Sequence, residues 1–229
     1  MKVDDPIHRE ISILDKDMQD LIKTKAFMRL ANIKQQGNTY YLHPHANHTR
    51  YEHSLGVYEM FRKVVNSLVK RNYLILSEYE MRVGMIAALL HDIGHGPYSH
   101  CFQQISGQDH GEWFLRIIKE DEEIKSILLR TPNLIDDVIS ILDGQERFQI
   151  IEEILFGSLS VDQLDFWNRD LYHSSINIDQ MNLDNLIHSL KIVDRKLVIG
   201  LEGIKEIEQM IKIKRALYNE GFGHPFVIG

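Results

Sequence analysis

The sequence predicts an all-α protein, a helical bundle with one small β-hairpin near residues 190–200, on three observations. Apolar residues recur at three- and four-residue spacing along most of the chain. Turn material separates these stretches at short intervals. Only Leu190 to Gly200, LKIVDRKLVIG, has the pattern of paired strands, two apolar runs flanking Asp194-Arg195.

Taken in order, Leu55, Tyr58, Phe61, Val65 and Leu68 mark the apolar face of a first long helix, and Met81, Met85, Ala88 and Leu89 that of a second. Shorter helices are expected over Glu112 to Ile118, Leu134 to Leu142, Ile150 to Leu155 and Val161 to Tyr172, divided by Thr131-Pro132-Asn133 and Asp143-Gly144. Ser160 with Gln163 reads as a capping box, which puts Asp162 in the first turn of its helix. Ile204 to Tyr218 is helical again after the hairpin. No repeat, low-complexity run or linker divides the chain, so one domain over 1–229 is expected.

Composition narrows the function. Acidic residues outnumber basic ones, 33 to 26, and the two signs are interspersed, which excludes a general nucleic-acid coat or a binder of anionic membranes. Nucleic acid remains open only as a substrate held in a local pocket. The single cysteine, Cys101, allows neither an intramolecular disulfide nor a cysteine-based metal knuckle, and is expected to be a small buried side chain. No apolar run approaches the roughly 20 residues of a membrane span, and the N-terminus is charged from the start, so a cytoplasmic location is expected. Most of the twelve histidines fall between His43 and His110.

Within that region, LLHDIGHGPYSH (residues 89–100) carries the chemistry. An apolar helix ends in His91-Asp92 and is stopped by Gly94, Gly96 and Pro97. A helix end presents side chains into a cleft, where adjacent His and Asp can reach one ion. Imidazole with carboxylate suits Mn, Fe, Ni, Co or Zn and, less well, Mg. One such pair does not close a site, and bundles recruit ligands from facing helices. His53, near a helix start, and Asp162, in a first turn, are the natural recruits. Four ligands leave positions open for water and phosphate oxygens, as a hydrolytic site requires.

Five ordered segments carry a family resemblance that covers nearly the whole chain. Phe27 to Gly37 (FMRLANIKQQG) is similar to FxRLRxIKQLG, His48 to Val57 (HTRYEHSLGV) to HxRFEHSLGV, and HDIGHGPYSH matches nearly residue for residue. Ser160 to His173 (SVDQLDFWNRDLYH) resembles SADRLDYLLRDSYH, and Lys214 to His224 resembles a helix ending in MYxxVYxH. Together they resemble the HD-domain phosphohydrolases, and among them the dNTP triphosphohydrolase branch. The resemblance implies an HD-domain helical bundle with one divalent metal ion on His53, His91, Asp92 and Asp162. It implies His95 and His110 as catalytic histidines beside the phosphates, which attack on phosphorus makes reasonable, since the leaving oxygen needs a proton donor. Arg50 is implied at phosphate, and Gln35, Asp170 and Phe166 at the rest of the nucleotide. It further implies a homodimer or larger assembly and release of deoxynucleoside and triphosphate.

The departures are specific. Gln103 replaces an acid, Gln163 replaces a lysine that follows the metal aspartate, and Phe166 replaces a tyrosine that stacks on the sugar. The residue after His110 is Gly111, with Glu112 one place late. Lys23, Met28 and Ala31 stand where mammalian members hold an activating nucleotide, so no GTP-dependent activation is expected. The chain also ends at Gly229, before a helical segment usual in the branch. The alternatives are hydrolysis of nucleoside monophosphates, cyclic nucleotides or oligonucleotides, or a weakly active nucleotide-sensing module.

Overall fold

The computed structural model describes residues 1–98, 107 and 109–222. Expectations resting on Cys101, Gln103 and the segment ending at His224 lie outside the described residues. Among those described, the helices are α1 (Lys16–Leu21), α2 (Lys25–Met28), α3 (Arg50–Lys70), α4 (Glu78–Leu90), α5 (His110–Glu120), α6 (Glu122–Leu128), α7 (Leu134–Leu142), α8 (Gln149–Phe156), α9 (Val161–His173), α10 (Leu183–Ser189) and α11 (Ile204–Leu217).

Helix starts follow local chemistry. The α3 N-terminus is a reciprocal box: Glu52 N–H donates to Thr49 Oγ1, and Thr49 N–H donates to the Glu52 carboxylate at 2.6 Å. Ser77 and Glu80 do the same for α4. At α9 only half of the expected box forms, Gln163 N–H donating to Ser160 Oγ at 3.2 Å. That half is enough to hold Asp162 in the first turn.

Helix α3 is the centre of the bundle. It packs against α4 on one side and α9 on the other, while α7 covers α4 and α11 covers α9. Its first three turns are buried nearly all round, including Leu55, Val57, Met60 and Phe61. Close approach to α9 requires Gly56, because a Cβ there would fall on the Asp165 carboxylate and Arg169 guanidinium. Those two groups form a fully buried fork, Arg169 Nε and one terminal nitrogen donating to the two Asp165 oxygens at 2.9 Å each.

The predicted hairpin is present as β3 (Leu190–Val193) and β4 (Lys196–Ile199), antiparallel, Val193 opposite Lys196. Asp194 and Arg195 both have positive φ, 49° and 61°, as a two-residue turn with right-handed strand twist demands. A second hairpin, β1 (Lys2–Asp5) with β2 (Arg9–Ser12), was not expected. Its strands are four residues each and mostly charged, so only Val3 and Ile11 carry an apolar signal. It is fixed by burial of Ile11 and Ile13 and by Arg169 donating to Asp5 Oδ2 at 2.8 Å.

Gly56→Ala is expected to cost about 3 kcal/mol through overpacking and a disrupted buried ion pair. In thermal unfolding this reads as a Tm about 6–12 °C lower; an unchanged Tm would show that α3 and α9 separate without penalty.

Candidate metal centre

His91 caps the C-terminus of α4, and Asp92 begins the turn that follows it. His53 stands one turn into α3, and Asp162 in the first turn of α9. Three helix ends therefore converge on one point. The closest ligand atoms of His53, His91 and Asp162 all lie within 4.8 Å of one another.

Both imidazoles are oriented from behind. His91 Nδ1 donates to the Ala88 carbonyl at 2.7 Å, and His53 Nδ1 lies 2.8 Å from Asp165 Oδ2. With Nδ1 occupied, each ring turns Nε2 to the shared point, as metal-bound histidines do. His53 Nε2 is 2.9 Å from Asp162 Oδ1. His91 Nε2 is buried with no hydrogen-bond partner among the described residues, 3.7 Å from the same Asp162 oxygen.

Asp92 stands beside this group. Its Oδ1 is 3.4 Å from His91 Nε2, and its Oδ2 is 3.9 Å from His53 Nε2 and accepts from Arg50 at 2.6 Å. Burial pushes the Asp92 carboxyl up, but Arg50 and the neighbouring histidines outweigh it and hold the group well below the usual carboxylate range. Burial likewise opposes a charged His53, yet hydrogen bonds to Asp162 and Asp165 raise its pKa to about 10. A cluster that draws a proton this strongly onto imidazole, beside a buried His91 nitrogen without a hydrogen-bond partner among the described residues, fits a cation.

His95 and His110 form the second part of the site. Their rings stack at 4.4 Å between centroids and 11° between planes, and His95 Nε2 is 3.3 Å from Asp92 Oδ1. Gly94 makes this contact geometrically feasible. A Cβ there would run into the His110 carbonyl, so glycine lets the first turn of α5 sit directly on the turn after α4.

These groups line one cavity of about 370 Å³. Gln35, Arg50, His53, His91, Asp92, His95, His110, Asp162 and Phe166, all expected from the sequence, are on its walls, and Phe114, Leu142 and Phe156 add an apolar side. Asp170 is not among the lining residues. It is buried, 2.6 Å from His48 Nε2, and so does not reach the nucleotide position that the resemblance implies. A larger groove, about 570 Å³, shares Leu142 and Phe156 with this cavity. None of the described residues that line it belongs to a cluster close enough to share an ion.

Two functional residues were missed. Asp165 orients His53, and its signal was an acid three residues after Asp162, next to the apolar Leu164 on the buried side of the helix. Arg29 clamps the turn after α4, donating to the backbone carbonyls of His95 at 2.7 Å and Ile93 at 2.6 Å. It was visible only as the arginine of FMRL.

The sequence model of the HD domain matches residues 50–195, which contain His53, His91, Asp92, His95, His110 and Asp162. The chain belongs to the HD-domain family. It is 31% identical over 222 residues to the uncharacterized protein YwfO of Bacillus subtilis, covering 96% of this chain and 51% of that one. A deoxynucleoside triphosphate triphosphohydrolase SAMHD1 homolog of Dictyostelium discoideum is 28% identical over 242 residues, 97% of this chain and 46% of its own. Among solved structures, a phosphohydrolase of Bacteroides thetaiotaomicron superposes with a TM-score of 0.90 at 26% identity, over 100% of this chain and 56% of that one. The chain spans about half the length of the curated relatives it matches. As an HD-domain protein it has, among its described residues, no helix long and apolar enough to cross a membrane.

His91→Ala and Asp162→Ala are each expected to abolish stoichiometric Mn binding in isothermal titration while circular dichroism stays helical. Full-affinity binding in either variant would place the ion elsewhere.

Proposed function

We propose that this HD-domain chain is a metal-dependent phosphohydrolase acting on nucleotides, with deoxynucleoside triphosphates cleaved to deoxynucleoside and triphosphate. The observation that carries this reading is one cavity holding the His53/His91/Asp162 cluster, Arg50 and the stacked His95–His110 pair. A divalent ion on His53, His91, Asp92 and Asp162, with Mn, Fe, Ni, Co or Zn fitting the donors better than Mg, supplies electrophilic polarisation of a phosphate oxygen when bound.

The rest is done by side chains of the protein. Arg50 places a guanidinium beside the phosphates, where planar N–H donors match their oxygens. Water bonds to the α-phosphorus as the bond to O5′ breaks and its electron pair leaves on that oxygen. His95 donates the proton that O5′ takes up, and His110, stacked on it, accepts the proton the water sheds. Phe114, Phe156 and Phe166 give an apolar wall for the nucleoside. Gln35 Oε1, buried without a hydrogen-bond partner among the described residues, accepts from a sugar hydroxyl. Asp170 acts at one remove, holding His48, whose carbonyl accepts from Gln35 N–H at 3.0 Å. Assembly as a homodimer or larger rests on the family likeness.

A second reading, hydrolysis of a nucleotide with a single phosphate, has its own observation. Arg50 is the sole lysine or arginine among the described lining residues, and glutamine stands at 163 where the branch has a cation. The likeness to the Dictyostelium triphosphohydrolase homolog favours the triphosphate.

Incubating Mn-loaded protein with dNTPs, NTPs, monophosphates and short single-stranded DNA, with products read by mass spectrometry, decides between them. Deoxynucleoside with triphosphate is expected; inorganic phosphate or monophosphate products would establish the second reading, and nucleotide bound but unconverted would mark a sensing module. Gln163→Lys with Phe166→Tyr is expected to lower the KM for dNTPs about tenfold, by restoring a phosphate cation and a hydroxyl worth about 1.4 kcal/mol together. An unchanged KM would place the substrate away from α9. Gly94→Ala is expected to lower kcat at least tenfold, by parting His95 from His110, with Mn content unchanged.

A further inference from the structure

We propose that the N-terminal hairpin is a positioning element of the metal centre, acting through a buried chain of hydrogen bonds from His8 to Asp165 to His53. The proposal rests on the metal site described above and extends it to a segment outside the matched HD-domain region.

The turn between β1 and β2 is built to present His8 inward. Asp5 Oδ1 accepts from the N–H groups of Ile7 at 2.9 Å and His8 at 2.8 Å, closing an Asx turn, and Arg9 leaves it with φ at 68°. The other Asp5 oxygen is fixed to α9 by Arg169. His8 Nε2 then reaches Asp165 Oδ1 at 2.7 Å, both side chains essentially without solvent exposure.

Each oxygen of Asp165 consequently takes two donors. Oδ1 receives His8 and one Arg169 nitrogen; Oδ2 receives His53 and the Arg169 Nε. Both Asp165 oxygens already accept from the Arg169 fork, so the carboxyl faces its ring partners as an acceptor; His53 therefore carries its Nδ1 proton toward it and aims Nε2 at Asp162. His8 thereby fixes the plane of the carboxylate that fixes the plane of the metal-binding ring.

The residue type at position 8 is explained by this bond and not by packing. His8 Nδ1 is buried with no hydrogen-bond partner among the described residues, an arrangement worth about 1–3 kcal/mol against folding. An apolar side chain would avoid that loss. The hairpin has independent anchors in Ile11, Ile13 and the Asp5–Arg169 pair, so it stays docked when His8 changes.

The test compares His8→Leu, which has no donor, with His8→Gln, whose amide N–H reaches the place of Nε2. Titration with Mn is expected to show affinity about tenfold weaker in His8→Leu, at the lower end of what loss of a supporting hydrogen bond does to a metal site, and within threefold of wild type in His8→Gln. Proton NMR of the metal-free proteins is expected to show the downfield His53 Nδ1–H resonance in wild type and His8→Gln, and to show it shifted or broadened in His8→Leu. Unchanged Mn affinity and an unchanged resonance in His8→Leu would overturn the proposal, as would equal losses in both variants, which mean packing alone. If wild type binds no Mn, the metal-site reading fails, and the His53 resonance still decides whether His8 positions that ring.

Discussion

Four N–H donors converge on the carboxylate of Asp165, in the interior between α3 and α9, and the rest of the molecule is arranged around keeping them there. A buried charge is tolerated only when its partners satisfy it completely, and here Arg169, His53 and His8 do so from three different elements. The bundle therefore has one relative placement of α3, α9 and the N-terminal hairpin in which this group is satisfied. Sliding any of them would leave a charge unpaired in the core. The interaction is thus a constraint on register more than a source of stability.

From that constraint the site follows. With α3 and α9 locked, His53 and Asp162 face each other, and α4, packed on the other side of α3, ends where His91 and Asp92 complete the group. Two backbone approaches set how close the helices come. At Gly56 the absence of a Cβ admits the ion pair itself, and at Gly94 it admits the first turn of α5, which lays His110 on His95. Arg29 then ties the turn after α4 from outside by two backbone carbonyls. Rigid helix ends thus hold the clustered histidines and acids in place, the support that a precisely positioned site needs.

The long helices, the β3–β4 hairpin and the residues that the fold gathers around the cavity, Asp170 excepted, were legible in the sequence because their signals are local. Helical spacing, a polar pair ending an apolar helix, and motif strings are all properties of neighbours along the chain. The four residues per strand of β1 and β2 were not legible, since Lys2, Asp4, Arg9 and Glu10 give no alternating apolar run. Asp165 reads locally as one more acid on a helix. Asp170 reads by resemblance as a nucleotide contact, and only the fold turns it toward His48 and turns Arg169 toward Asp165 and Asp5.

The sequence by itself determined that this is a helical HD-domain protein and which histidines and acids its motifs single out, because helix periodicity and donor chemistry are written in short stretches of chain. Tertiary structure alone decided which ring nitrogen of His53 faces the centre, which acid stands behind it, and that the N-terminal hairpin reaches that acid. Those depend on hydrogen bonds between residues more than 100 positions apart, such as His8 with Asp165 and His53 with Asp165, and no local pattern records a contact made across the core.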